Sequence, residues 1–145
     1  MSAHLIESDA ELAEVVRAAR VVAVVGMKGD HAAGESAYDV PAMQRARGLR
    51  IIAVNPTISE TQGAPAYPNL AALPERADLV QVFRRIDAIP ALTDELIALP
   101  AALRPEVVWL QTGIRHDPSA RRLVAAGYSV VQDECLGVLA ARYRR

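Results

Sequence analysis

The stretch Val21-Val22-Ala23-Val24-Val25-Gly26 decides how the chain is read. Five short aliphatic residues, mostly β-branched, predict a strand buried on both faces, as a parallel sheet covered by helices requires. Gly26 ends the strand. The polar loop Met27-Lys28-Gly29-Asp30-His31-Ala32-Ala33-Gly34-Glu35 follows, and a helix is expected from Ser36. Strand, glycine turn and helix together present backbone N–H groups and a helix N-terminus to a phosphate.

Working outward, the same alternation repeats. Ser8-Asp9-Ala10-Glu11 has the S-x-x-E spacing of a capping box, which predicts a helix over 9–19 with Leu12, Val15, Val16 and Ala19 on one face. The second helix should span 36–47, with Pro41 tolerated in a first turn and Gly48 as its stop. Further strands are expected over 49–54, 77–83, 106–111 and 128–131. Further helices are expected over 88–99, capped by Asp87, over 117–126, opened by Asp117-Pro118, and over 136–142. The stretch 57–69, rich in Pro, Gly, Thr and Ser, reads mostly as loop, and 70–73 as a single helical turn. Five buried strands alternating with helices predict one α/β domain over residues 1–145, built on a doubly wound, five-stranded parallel sheet.

Composition narrows the function. The 145 residues include 52% hydrophobic ones, too many for a disordered chain, and the net charge is -1. The one short basic run, Arg142-Tyr143-Arg144-Arg145, reads as a solvated helix end. Neither nucleic acid nor a membrane surface is therefore expected as a partner. Cys135 is the only cysteine, which fits a reducing, cytoplasmic setting, and Met1-Ser2-Ala3-His4 lacks the pattern of a signal peptide. Nothing in the sequence fixes the oligomeric state.

In such sheets ligands bind beyond the C-terminal ends of the strands. The residues there are Gly26-Met27-Lys28, Asn55-Pro56, Arg84-Arg85, Gln111-Thr112-Gly113 and Asp133-Glu134-Cys135. They are rich in hydrogen-bonding groups and poor in catalytic groupings. Gly26-x-x-Gly29 is not the G-x-G-x-x-G fingerprint, and glycines that merely turn the chain are the plain alternative. Asn55 stands where an NAD-binding domain usually places Asp or Glu for the ribose, which counts against NAD. Lys28 is either a mobile phosphate partner or a solvated loop lysine. One of Arg84 and Arg85 should face the ligand edge and the other solvent. His31 reads as an exposed loop residue. His4 and His116 have no partners at metal-ligand spacing. Cys135 reads as a packed small hydrophobe rather than a nucleophile, Trp109 as core, and Ser36 as a helix cap able to touch a phosphate.

With these loops assembled, the chain resembles the small, stand-alone CoA-binding proteins of the YccU type. These are similar to the CoA-binding Rossmann domain of the succinyl-CoA synthetase α subunit. The resemblance covers residues 21–138. It rests on Val24-Val25-Gly26, Ala37-Tyr38-Asp39-Val40-Pro41, Val54-Asn55-Pro56, Gly63 with Tyr67-Pro68-Asn69-Leu70, Val82-Phe83-Arg84, Trp109-Leu110-Gln111-Thr112-Gly113 and Asp133-Glu134-Cys135. It implies a Rossmann-like fold and coenzyme A, or an acyl-CoA, as the ligand. Gly26, Met27 and Lys28 with Ser36, Ala37 and Tyr38 would hold the pyrophosphate. Asn55, Pro56, Phe83, Arg84 and Arg85 would lie about the adenosine part, and Gln111, Thr112 and Gly113 near the pantetheine. The chain departs from the family pattern at Lys28, where Ser is frequent, at Gly34-Glu35, where Arg-Pro is frequent, and at Glu134, where Arg is frequent. The phosphohistidine chemistry of succinyl-CoA synthetase resides in a domain this chain lacks, so a non-catalytic module is expected. The alternatives are a thioester-handling enzyme using Cys135 and an NAD-type nucleotide sensor or partner subunit.

Overall fold

The strand at Val21–Val25 (β1) forms as its sequence predicts and lies at the middle of a seven-stranded sheet. The computed structural model describes residues 2–144. The other strands are Arg50–Val54 (β2), Glu60–Thr61 (β3), Ala64–Tyr67 (β4), Leu79–Val82 (β5), Val107–Leu110 (β6) and Ser129–Val131 (β7). Their order is β3-β4-β2-β1-β5-β6-β7. All neighbours pair in parallel except β3, which runs antiparallel to β4. The chain winds outward from β1 through β2 to β4, then returns to β5 and winds the other way. The gap between β1 and β5 is therefore the switch point of the sheet.

Five α-helices cover the sheet: Asp9–Ala18 (α1), Ser36–Ala46 (α2), Ile89–Ala98 (α3), Asp117–Ala125 (α4) and Leu136–Tyr143 (α5). Side chains alternate across each strand, so β1 feeds two cores. Val22 and Val24 pack with Leu12 and Val16 of α1, Leu136 and Leu139 of α5, and Trp109. Ala23 and Val25 face the other way, against Leu92 and Leu96 of α3 and Ala120 and Leu123 of α4. Trp109 is fully buried, as expected.

Several local expectations need correction. The sheet has seven strands rather than five, because the stretch 57–69, read as loop, contains β3 and β4. Pro41 sits in the second turn of α2, not the first. A proline there deprives the Ala37 carbonyl of its helical donor, and the Lys28 N–H supplies one from the glycine loop at 3.1 Å. Ser36 is the first helical residue and Glu35 occupies the cap position. Asp87 does not cap α3; it lies in a 3-10 turn, Ile86–Ala88, that leads into the helix. His116, not Asp117, caps α4, accepting from the Ser119 N–H. Arg144 is no solvated end: its guanidinium donates to the carbonyls of Val16, Arg17 and Ala19 at the C-terminus of α1 and to that of Arg47. Arg145, the last residue of that basic run, and Met1 lie outside the described residues.

The core beneath α2 and α5 holds a chain of three buried amides. Gln44 of α2 and Gln81 of β5 exchange two hydrogen bonds of 2.8 Å. Gln81 also donates to Gln111 Oε1 at 2.8 Å, and the same oxygen accepts the Leu136 N–H that opens α5. Glycine makes the helix pairing possible, since a Cβ on Gly137 would fall 2.8 Å from a Val40 methyl.

Replacing Gln81 with Leu strands both polar atoms of the buried Gln44 amide, while Gln111 Oε1 keeps the Leu136 N–H, so it should cost about 2–6 kcal/mol, at about 1–3 for each buried polar group left unpaired. A urea denaturation midpoint unchanged from wild type would contradict this account of the amide chain. A second expectation concerns the N-terminal segment, where Leu5 bridges to Val130 and the Ile6 N–H donates to the Val130 carbonyl at 2.8 Å. The two ring nitrogens of His4 face the Ser2 carbonyl and the Glu11 carboxylate, so both carry protons. These partners, Ser2 first, raise its pKa above 6.5. The folded form then binds the proton more tightly, and the tether is fully present below that value and lost as pH rises through the folded pKa. Amide exchange at Ile6 should accelerate across that window in wild type and show no such step in His4→Ala.

Candidate functional site

Gly26 is held where three strands meet. Its N–H donates to the Val54 carbonyl of β2 at 2.9 Å, and its φ is +85°. A Cβ there would lie 2.1 Å from the Phe83 carbonyl oxygen at the end of β5. Only glycine lets the main chain pass.

The loop beyond is fastened by its own polar groups. Met27 is fully buried, so it offers a ligand only its main chain, and its carbonyl accepts from Asn55 Nδ2 at 2.9 Å. Asn55 Oδ1 accepts from the N–H and hydroxyl of Thr57. Both ends of the Asn55 amide are thus used as a staple, beside the exposed Pro56. The Lys28 carbonyl accepts from Thr61 Oγ1 at 2.9 Å, and its Nζ lies 2.6 Å from Glu35 Oε1. The Tyr38 hydroxyl donates to Asp30 Oδ1 at 3.0 Å, where the Gln62 N–H also donates. The Gln62 N–H first, and then the Tyr38 hydroxyl, hold the Asp30 carboxyl below its ordinary range.

What remains free at this edge is narrower than the list of candidates. At the start of α2 the Glu35 side chain makes no cap, and among the described residues the N–H groups of Ser36 and Ala37 have no protein acceptor. Phe83 is half-buried. Arg84 is half-buried and has no hydrogen-bond or ion-pair partner among the described residues, whereas Arg85 is exposed and 3.4 Å from Asp87. His31 is exposed.

Gln111 is buried, and its Nε2 donates to Cys135 Sγ at 3.6 Å. Thr112 and Gly113 are exposed, and the Gly113 N–H is bound by Asp133 Oδ1 at 2.6 Å. Cys135 is half-buried at the N-cap of α5. The candidates therefore form two clusters. One surrounds Gly26 and the start of α2, and the other joins the ends of β6 and β7. The Gln44–Gln81–Gln111 chain links them beneath the surface. Thr61, Gln62 and Asp30 were missed by sequence reasoning, since each acts only by fastening the loop. Gln44 and Gln81 carried a faint signal as polar residues on otherwise apolar faces.

A groove of about 640 Å³ opens at the opposite edge of the sheet, lined in part by Glu11, Glu14, Asp78 and Glu106. Its charges are mixed, with His4 and Arg20 beside those carboxylates, and parallel strands direct the helix N-termini to the other edge.

Comparison with known proteins identifies the family of the chain. The CoA binding domain family matches residues 20–141. The YneT protein of Bacillus subtilis is 34% identical over 131 residues, spanning 90% of this chain and 93% of its own. A solved structure from Thermus thermophilus is 37% identical with a TM-score of 0.84, covering 94% of this chain and 99% of that one. A hypothetical protein from Pyrococcus horikoshii has a TM-score of 0.84 at 20% identity, over 94% of this chain and 92% of that one, a likeness of fold alone. With the match extending from the start of β1 into α5, the chain belongs to the CoA binding domain family.

Proposed function

We propose that this chain binds coenzyme A or an acyl-CoA at the C-terminal edge of β1, β2 and β5, without catalysing a reaction on it. The observation that carries the reading is the pair of unsatisfied N–H groups of Ser36 and Ala37, next to the Ser36 side chain, at the start of α2. Oriented donors and the positive end of a helix favour a phosphate. Arg84, half-buried and without an anionic partner among the described residues, supplies a cation for the nucleotide end. The adenosine part then lies by Asn55-Pro56 and Phe83-Arg84, and the pantetheine near Thr112-Gly113.

Two features favour this over the rival readings. Asn55 is committed to Met27 and Thr57, so it does not present a ribose clamp of the NAD type. The group that bonds Cys135 Sγ is an amide, which cannot accept the thiol proton, so a nucleophile with its own base is not supported. The lone thiol suits a reducing, cytoplasmic setting.

Calorimetry with CoA, and with NAD at matched concentration, tests the reading, after mass spectrometry of any co-purifying ligand. Saturable CoA binding without an NAD signal is expected; NAD binding without CoA binding would overturn it. Arg84→Ala should weaken CoA by about tenfold, the magnitude of one charge-assisted hydrogen bond, and adenosine much less. An equal loss for both ligands would remove Arg84 from phosphate binding. Cys135→Ala should leave CoA affinity unchanged, and a thioesterase or transferase activity lost in that variant would sink the non-catalytic reading.

A further inference from the structure

We propose that Glu35 is an internal counter-ion that occupies Lys28 until a ligand phosphate displaces it, so that this pair sets how tightly the site takes a diphosphate. The inference rests on the CoA site proposed above and adds a control of its affinity.

The two residues stand at the two ends of the glycine loop, and both have fixed main chains. Lys28 is pinned by its N–H to the Ala37 carbonyl and by its carbonyl to Thr61 Oγ1. Glu35 donates its N–H to the Ala32 carbonyl, and its own carbonyl accepts the N–H groups of Tyr38 and Asp39. Only the two side chains are left to move, and they meet at 2.6 Å. Glu35 occupies the cap position of α2 yet does not cap the helix, because its carboxylate is turned to the lysine.

The other charges of the loop are engaged elsewhere. Asp30 takes the Tyr38 hydroxyl and the Gln62 N–H, Asp39 takes the Gly34 N–H at 3.0 Å, and Arg45 reaches Gln62 Oε1 at 2.9 Å. His31 is exposed within the same loop. The hydrogen bond from Lys28 holds the Glu35 carboxyl below its ordinary value, so Glu35 stands as a carboxylate at neutral pH.

The pair is also made to be broken. Its side chains are 47% and 57% exposed, and water screens such pairs to a small net worth. A diphosphate beside the Ser36 and Ala37 N–H groups brings more charge to Lys28 than one carboxylate does. It also repels Glu35, which then swings to solvent. The unliganded site thus carries an anionic stand-in for its ligand, and binding is an exchange of anions on Lys28.

A double-mutant cycle by calorimetry tests this. Glu35→Gln should tighten CoA binding by about tenfold in the Lys28 protein but only by about threefold in the Lys28→Met background. The difference is the contribution of an exposed ion pair, about two- to fivefold. Adenosine, which lacks phosphate, should respond to neither change. Because Lys28 is the only lysine of the chain, its side-chain signal in an isotope-edited NMR spectrum should move with CoA and stay still with adenosine. Equal gains from Glu35→Gln in both backgrounds, or a lysine signal unmoved at CoA saturation, would overturn the exchange while leaving the CoA site intact. No CoA binding by wild type or by any of the variants would overturn the site itself.

Discussion

The approach of the Gly26 main chain to the Phe83 carbonyl is the constraint around which the molecule is arranged. The end of β1 has β2 on one side and β5 on the other. The chain must leave the sheet there without losing its place in the ladder. Gly26 does so by keeping its hydrogen bond to the Val54 carbonyl while turning through a positive φ, in a space that no side chain can share. Met27 then drops into the core beside Val24 and Trp109 and anchors the exit. The loop of residues 28–35 can be polar and exposed because the residues before it bear the packing load. An exposed loop on a rigid scaffold, the arrangement that suits ligand binding, is what this produces.

The buried amides carry that order into the helices. Replacing them with leucines would seem simpler for a core, since apolar groups need no partners. A reciprocal amide pair, however, has one geometry in which both oxygens are satisfied, and burial makes any other costly. Gln44 and Gln81 therefore fix the rotation of α2 over β5, and Gln111 passes the constraint to the first N–H of α5. The two helices whose N-termini flank the switch point are placed by one hydrogen-bonded chain. Pro41 contributes in the same direction. The carbonyl it leaves unpaired in α2 is the one that seizes the Lys28 N–H, so an apparent defect in the helix becomes the clasp of the glycine loop.

Most of this frame was legible because it depends on hydrophobic runs. Val21–Val25 and Arg50–Val54 are continuous or nearly so, and a strand covered on both faces leaves that trace whatever its neighbours. β3 and β4 leave none. They are two and four residues long, Pro65 lies on the edge pair, and β4 is a strand because β2 is there to bond it. The helices at Ser36 and Asp117 begin where the sequence places them, but their caps were misplaced by a residue for a related reason. Ser36 and Asp117 are good caps by type, but the cap is the residue whose backbone is still extended, and Glu35 and His116 hold that conformation. The candidate residues were legible as types at strand ends. What was not legible is how many of them serve the protein: Asn55, Tyr38 and Gln111 each commit a side-chain polar atom to a partner that is not a near neighbour in sequence, from 8 to 30 residues away.

Electrostatics gives the two edges of the sheet different prospects, although the whole chain carries a charge of only -1. At the N-terminal edge, Glu11, Glu14, Asp78 and Glu106 gather about the groove, where the C-termini of helices also tend to point. At the C-terminal edge, α2 and α5 begin, Arg84 has no anionic partner among the described residues, and the position that would carry a ribose-clamping acid is Asn55. On the reading proposed above, an anionic ligand is drawn to this edge before any specific contact is made. The attraction is moderated by the carboxylates that frame the loop. Asp30 and Asp39 are absorbed into hydrogen bonds that shape it, so their charges stay put when a ligand arrives. Glu35 is the one whose partner is a mobile cation. On the reading proposed above, the site takes its specificity from fixed donors on α2 and leaves its affinity to be set by a single movable charge.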